Sequence, residues 1–253
     1  MIQGVFFDVG GTLYSYKNMQ PAMMGILREL AERLKLRHEF ADVARHYQAA
    51  NRDVDKLFAQ KSFYLFRDYF EATFRAFLSR IDREHQHEHF EWFERVQRER
   101  LMGALDLQPD CLATLARLKE MGVSLSAVSN ADENHLIPLI ERGGLHRWLD
   151  HWTSSEAAGS CKPDRQFFEI ALGKAGLTAG QVLFVGDSRE QDIQGAHAVG
   201  MKTALITELD QPAPMHVGRE TPDPDFTITR LSELPAIVAK LRATPPAAIQ
   251  QPS

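Results

Sequence analysis

One apolar strand in this sequence stands apart from all the others. "MIQGVFF" reads as a buried strand that gives out into the two-glycine loop Asp8-Val9-Gly10-Gly11-Thr12. From Lys17 to Gly103 no further strand pattern follows, and that stretch holds only two glycines, Gly25 and Gly103, and one proline, Pro21. Its apolar residues keep helical spacing instead. Phe63, Phe66, Phe70, Phe74 and Phe77 recur at intervals of three and four, which predicts one face of a helix. "MGILRELAERL" and "FEWFERVQRERLM" predict helices before and after it. Beyond Pro109 the texture changes again. "VSLSAVSN", "DHWTSSEAAG", "QVLFVGDS", "KTALIT" and the start of "DFTITRLSELPAIVAKL" read as strands, separated by helical stretches such as "CLATLARLKEMG" and "DRQFFEIALGKAGL". Strands alternating with helices of about 10–15 residues predict βαβ units and a parallel sheet. The expected fold is α/β, with a core of residues 1–14 and 105–242 and an all-helical domain, 15–104, inserted after the first strand. The Pro- and Gln-rich end, 243–253, is expected to be disordered.

Bulk properties exclude several function classes. At 253 residues the chain holds one large domain or a core with a smaller companion, and 44% hydrophobic with 25% charged residues is ordinary for a protein with a sizeable core. A formal net charge of −5 offers no basic footprint for nucleic acid. Two cysteines, Cys111 and Cys161, make no disulfide framework and fit a reducing compartment. No basic leader is followed by an apolar run, and no stretch approaches the roughly 18 apolar residues of a membrane span. The expectation is a cytoplasmic protein, monomer or homodimer, with neither nucleic acid nor membrane as partner.

In open parallel sheets the ligand sits outside the carboxyl ends of the strands. The polar residues at those ends are Asp8, Ser129 with Asn130, and Asp187. Asp192 follows in "VGDSREQD", and Lys162 lies in "SCKPD". Three carboxylates in one crevice repel unless a cation neutralises them. Hard oxygen ligands of this kind suit Mg2+, which also takes a substrate phosphate oxygen. An aspartate nucleophile, Mg2+, a lysine and a hydroxyl form a site for in-line phosphoryl transfer through an aspartyl-phosphate.

These motifs, in the order "FFDVGGTL", "AVSN", "SCKPD" and "VGDSREQD", resemble those of the haloacid dehalogenase-like (HAD) superfamily of hydrolases with a type-1 helical cap. The resemblance extends to about Leu241. It implies a Rossmann-like parallel-sheet core with an all-helical cap domain, a Mg2+ cofactor and a small phosphorylated metabolite as substrate. It implies Asp8 as covalent nucleophile, Ser129, Asn130 and Lys162 as binders of the transferring group, and Asp8, Asp187, Asp192 and the Gly10 carbonyl around the metal. The family's first motif is Asp-x-Asp-x-Thr, and Gly10 stands where most of its phosphatases carry the general acid/base. General acid–base catalysis is typically worth 10²–10⁴-fold, so weak phosphatase activity is expected unless another group substitutes. A dehalogenase-type hydrolase is the first alternative, because halide leaves without a proton. A non-catalytic protein that kept a phosphate and Mg2+ pocket is the second.

Plainer readings accompany the rest. Gly10 also suits a tight turn beside Gly11. His85 and His89, four apart in "EHQHEH", read as a solvated helix surface because no third ligand is evident. The phenylalanine stripe reads first as packed interior and only secondarily as a substrate wall. Arg67 and Arg75 fall off that stripe and read as solvent-facing. Tyr14 and Tyr16, near the crevice, are candidates for the missing proton donor, though packing is the commoner role. Cys161 has no evident histidine partner that would make it a nucleophile.

Overall fold

Residues 1–207 and 215–243 are described by the structure, a computed structural model of the chain. Strand β1 (Gly4–Phe7) is buried along its whole length. After it come β2 (Tyr14–Ser15), the helices α1 (Met19–Arg33), α2 (Phe40–Phe58), α3 (Phe66–Arg80) and α4 (His87–Ala104), and then β3 (Asp106–Leu107). The rest alternates: α5 (Cys111–Glu120), β4 (Ser124–Ser129), α6 (Glu133–Arg142), β5 (His151–Ser154), α7 (Ser155–Ala158), α8 (Arg165–Ala175), β6 (Val182–Gly186), α9 (Gln194–Val199), β7 (Lys202–Ile206), β8 (Phe226–Ile228) and α10 (Leu234–Ala243).

The sheet has six strands in the order β5-β4-β1-β6-β7-β8, and every pairing in it is parallel. Parallel strands covered on both faces read as continuous apolar runs, which is why β1 and β6 are legible in the sequence. Successive side chains of a strand point to opposite faces. Val5 and Phe7 accordingly join α5, α6 and α10 on one side through Leu115, Leu136 and Val238. Phe6 joins α8 and α9 on the other through Phe167, Phe168 and Ala196. From β1 the chain builds β4 and β5 outward one way and, later, β6 to β8 the other way. The strand order thus reverses at β1, and the crevice outside its carboxyl end is the switch point where ligands bind.

β2 and β3 pair antiparallel, Tyr14 opposite Leu107 and Ser15 opposite Asp106. The four-helix insertion therefore leaves the core and returns to it through one short ribbon. Its interior is aromatic: Phe74 stacks on Phe93 at 5.0 Å between ring centroids, and Tyr47 meets Phe77 edge-on at 5.7 Å. The phenylalanine stripe divides. Phe74 and Phe77 are fully buried in this interior, whereas Phe66 and Phe70 face the junction with the core. Phe63 is 38% exposed and precedes the helix, which starts only at Phe66. The cause is a cap from outside: the Asp132 carboxylate accepts the Phe66 and Arg67 backbone N–H groups at 2.9 and 3.3 Å. His85 likewise precedes α4 and shares no helix face with His89, whose ring instead accepts a hydrogen bond from Arg33. Helix α10 runs through Ala243, so the rest of the expected tail, 244–253, lies outside the described residues. Among the described residues no helix is long and apolar enough to cross a membrane.

Truncating a buried phenylalanine removes transfer free energy and leaves a cavity, typically 3–5 kcal/mol together. Phe74→Ala should lose about that much in urea denaturation. Phe63→Ala should stay within about 0.5 kcal/mol of wild type, as a surface change does.

Candidate active site

The carboxyl ends of β1, β4 and β6 bring Asp8, Ser129 and Asp187 to one crevice. Asp8 continues the β1 ladder, its N–H donating to Val185 O at 2.9 Å, so its position is set by the sheet itself. Lys162 arrives from the segment between α7 and α8, and its Nζ donates to Asp8 Oδ1 at 2.5 Å and to Asp192 Oδ1 at 2.7 Å. The other Asp192 oxygen accepts the Ser188 N–H at 3.0 Å. Asn130 grips the Lys162 backbone at both ends: its Oδ1 accepts Lys162 N–H at 2.7 Å and its Nδ2 donates to Lys162 O at 3.0 Å. The amide of Asn130 therefore positions the lysine. A Cβ on Gly186, the last residue of β6, would fall on the Asp192 side chain, 2.5 Å from its own Cβ. Only glycine there lets Asp192 fold back over the strand end.

The electrostatics are unbalanced. Asp8, Asp187 and Asp192 can place ligand oxygens within 4.8 Å of one another, and among the described residues Lys162 is the one ammonium bonded to them. Burial raises Asp8 to about 6 despite Lys162, with Asp192 adding to the rise. Burial, then Asp8 and Asp192, hold Asp187 well above the usual carboxylate range. Burial works against the Lys162 ammonium, but Asp192 and Asp8 outweigh it and raise its pKa. Three carboxylates against one ammonium leave a buried excess of negative charge, and a hard divalent cation fits that donor set.

The candidate proton donors separate. Tyr14 donates to Leu139 O at 2.7 Å and is buried in the core, away from the crevice. Tyr16 lines the crevice with Asp8, Gly10, Ser129 and Asp187. Cys161 is buried and free, its thiol pushed up by burial and directed at Tyr64 O, so it is no nucleophile. Arg75 pairs with Glu71 on the surface. Two further buried carboxylates join these elements to the rest of the chain. Asp132 caps α3 as described, although its place before α6 reads as an ordinary helix start. Glu190, 3% exposed, accepts the N–H groups of Val217, Gly218 and Arg219 and pairs with His216 at 2.9 Å. No local pattern could reveal that, because its partners lie in a distant loop.

Comparison with known proteins fits this geometry. A family profile for haloacid dehalogenase-like hydrolases matches residues 2–200, and the chain belongs to that family of hydrolases. It is 27% identical over 230 residues to the ribulose-1,5-bisphosphate 5-phosphatase of Halopiger xanaduensis, covering 83% of this chain and 87% of that one. It is 26% identical over 243 residues to the glyceraldehyde 3-phosphate phosphatase of Methanocaldococcus jannaschii, covering 96% and 99%. The fold superposes on the HAD hydrolase YfnB of Bacillus subtilis, solved bound to magnesium, with a TM-score of 0.73 at 22% identity, covering 94% of this chain and 98% of that one.

An ion that binds only the folded form stabilises it by mass action, about 2.7 kcal/mol at 100 times its Kd. Mg2+ should therefore raise the melting temperature, and Asp187→Asn should remove the shift. Equal shifts in both proteins would place the ion on the surface. A second expectation concerns His135, at the edge of the site, which burial and then Arg98 lower from 6.5 to about 4. Between those values the unfolded chain binds a proton that the folded chain refuses. This contribution to stability is complete above pH 6.5 and is lost as pH falls toward 4. Denaturation midpoints measured across that window should fall less steeply for His135→Asn than for wild type.

Proposed function

We propose that this hydrolase is a Mg2+-dependent phosphatase of small phosphorylated metabolites, with Asp8 as nucleophile and Tyr16 in place of the carboxylate that Gly10 lacks. The observation that carries this reading is the packing of Tyr16 over the two-glycine loop. A Cβ on Gly10 would lie 2.9 Å from Tyr16 Cζ and closer still to the phenol oxygen. A Cβ on Gly11, whose φ is +75°, would lie 2.8 Å from Tyr16 Cε2. The phenol fills the volume into which a side chain at position 10 would project. Gly10 and Tyr16 are two halves of one arrangement.

The chemistry then balances. Lys162 and the Ser129 hydroxyl hold the phosphoryl oxygens. Asp8, Asp187 and the Gly10 carbonyl would hold the cation, with Asp192 in support, and the bound ion neutralises phosphate charge. An Asp8 carboxylate oxygen bonds to phosphorus as the ester P–O bond breaks, and the leaving alkoxide takes the Tyr16 proton. Water then attacks the phosphorus of the aspartyl-phosphate and gives its proton to the tyrosinate. The bond to Asp8 breaks, phosphate leaves, and both residues return to their starting forms. Tyr64 and Phe66 of the insertion wall the crevice, which keeps bulk water from the intermediate. The relatives named as sugar-phosphate phosphatases support the substrate class. A halide-displacing site needs no cation, so a carboxylate cluster that calls for one favours a phosphate ester, whose charge the cation would offset.

The test is a plot of the rate of the chemical step against leaving-group pKa. Wild type should give a shallow slope. Tyr16→Phe should give a steep one, with alkyl phosphates slowed by about 10²–10⁴-fold and p-nitrophenyl phosphate little affected. Equal slopes would remove the phenol from the mechanism. Gly10→Asp should lose activity by itself, because its side chain collides with Tyr16, and should gain turnover only when paired with Tyr16→Ala.

A further inference from the structure

A second cavity, of about 140 Å³, opens on the far side of Tyr16. It shares Gly10, Tyr16, Phe66, Ser129 and Asn130 with the acidic crevice, so the two adjoin, with the phenol in their common wall. Its walls are mostly apolar, from Val9, Phe70, Leu101, Met102, Leu136 and Leu139. Three polar side chains break that lining: Gln97 and Arg98 from α4, and His135 from α6.

Each keeps unmet polar capacity, although the Gln97 side chain also hydrogen-bonds Tyr47. Gln97 is 3% exposed and its Oε1 has no hydrogen-bond partner, and both ring nitrogens of His135 are buried without one. Buried polar groups are ordinarily hydrogen-bonded, and the exceptions call for a reason. Arg98 is half-buried, and among the described residues no carboxylate pairs with it. The other arginines on α4 behave otherwise: Arg95 pairs with Glu99 and Arg100 with Glu29. An unpaired guanidinium at the end of an apolar passage has the fork geometry that carboxylate and phosphate oxygens match. The imidazole beside it can donate one hydrogen bond and accept another, and Gln97 Oε1 wants a donor such as a hydroxyl.

We infer that Arg98, His135 and Gln97 form a subsite for a second anionic group on the leaving-group side of the substrate, so the preferred ligand is a phosphate ester carrying a carboxylate or a further phosphate. This rests on the phosphatase reading for the identity of the first group but not for the existence of the subsite. The same three residues explain why the insertion must be closed for recognition: Gln97 and Arg98 belong to it, while His135 belongs to the core.

Binding of non-hydrolysable probes tests this without requiring turnover. Calorimetry with the full chain and Mg2+ would compare 3-phosphonopropionate, propane-1,3-bisphosphonate and propylphosphonate. The wild type should bind one or both doubly anionic probes at least about tenfold tighter than propylphosphonate, and the tighter of the two identifies the group the subsite takes. Arg98→Met should bring that ratio close to one, and Arg98→Lys should keep part of it. An unchanged ratio in Arg98→Met, or no preference in wild type, would overturn the subsite. Asp187→Asn separates the two ideas, since it should weaken all three probes together. If it weakens none while Arg98→Met still collapses the ratio, the subsite stands and the phosphatase reading falls.

Discussion

Lys162 is the member on which the others at the strand ends depend. Its side chain is 1% exposed, and its ammonium lies within hydrogen-bond reach of both Asp8 and Asp192. Taking those charges out of water is costly, and removing one partner of such a group leaves an uncompensated buried charge. The surrounding sequence is arranged to avoid that. Asn130 fixes the lysine backbone, Gly186 clears room for Asp192, and Ser188 satisfies its second oxygen. One ammonium still cannot balance Asp8, Asp187 and Asp192 together. The fold therefore holds a standing electrostatic demand for positive charge at the carboxyl ends of its central strands.

The same lysine ties the helical insertion to the chemistry. The residue before it, Cys161, donates its N–H to Ser62 O at 2.7 Å and directs its thiol at Tyr64 O, both in the segment leading to α3. Asp132, three residues beyond Ser129, caps α3 from the core side. A carboxylate at a helix N-terminus interacts favourably with the helix dipole as well as with its free N–H groups. Arg219, held near Glu190, donates to Ala59 O at 2.7 Å. The insertion thus meets the core through the very segments that carry Lys162, Ser129 and Asp192. Its closure and the order of the crevice are one structural event.

The core strands were legible because a parallel sheet imposes continuous apolar runs, and each strand ended in a polar residue whose place at the crevice followed from topology. Asp8, Ser129 and Asp187 could be placed in that way. The helices of the insertion were legible from spacing alone, but the start of α3 was not. Its N-terminus is set by Asp132, a residue from another element, which is why Phe63 falls outside the helix and Phe66 and Phe70 turn toward the junction. Gly10 was visible as a departure, and its packing was not. What packs against it is a ring six residues away, brought back over the loop by a turn whose side-chain direction no periodicity encodes. Gln97 and Arg98 were hidden for the opposite reason, since on a helix rich in charged residues nothing local distinguishes an arginine without a partner from those that have one.

The ribbon of β2 and β3 has a consequence for how such a protein can change over generations. Tyr14 and Leu107 are paired neighbours, so the whole helical unit begins and ends at almost the same point. Changes within its helices disturb no strand of the main sheet, whereas changes at Ser62, Tyr64 or the first turn of α3 reach the segments that carry Lys162 and Ser129. Away from that junction, the helical unit can therefore vary while the strand ends stay in place. A lineage that keeps this doorway can acquire a new substrate by rebuilding the room above it.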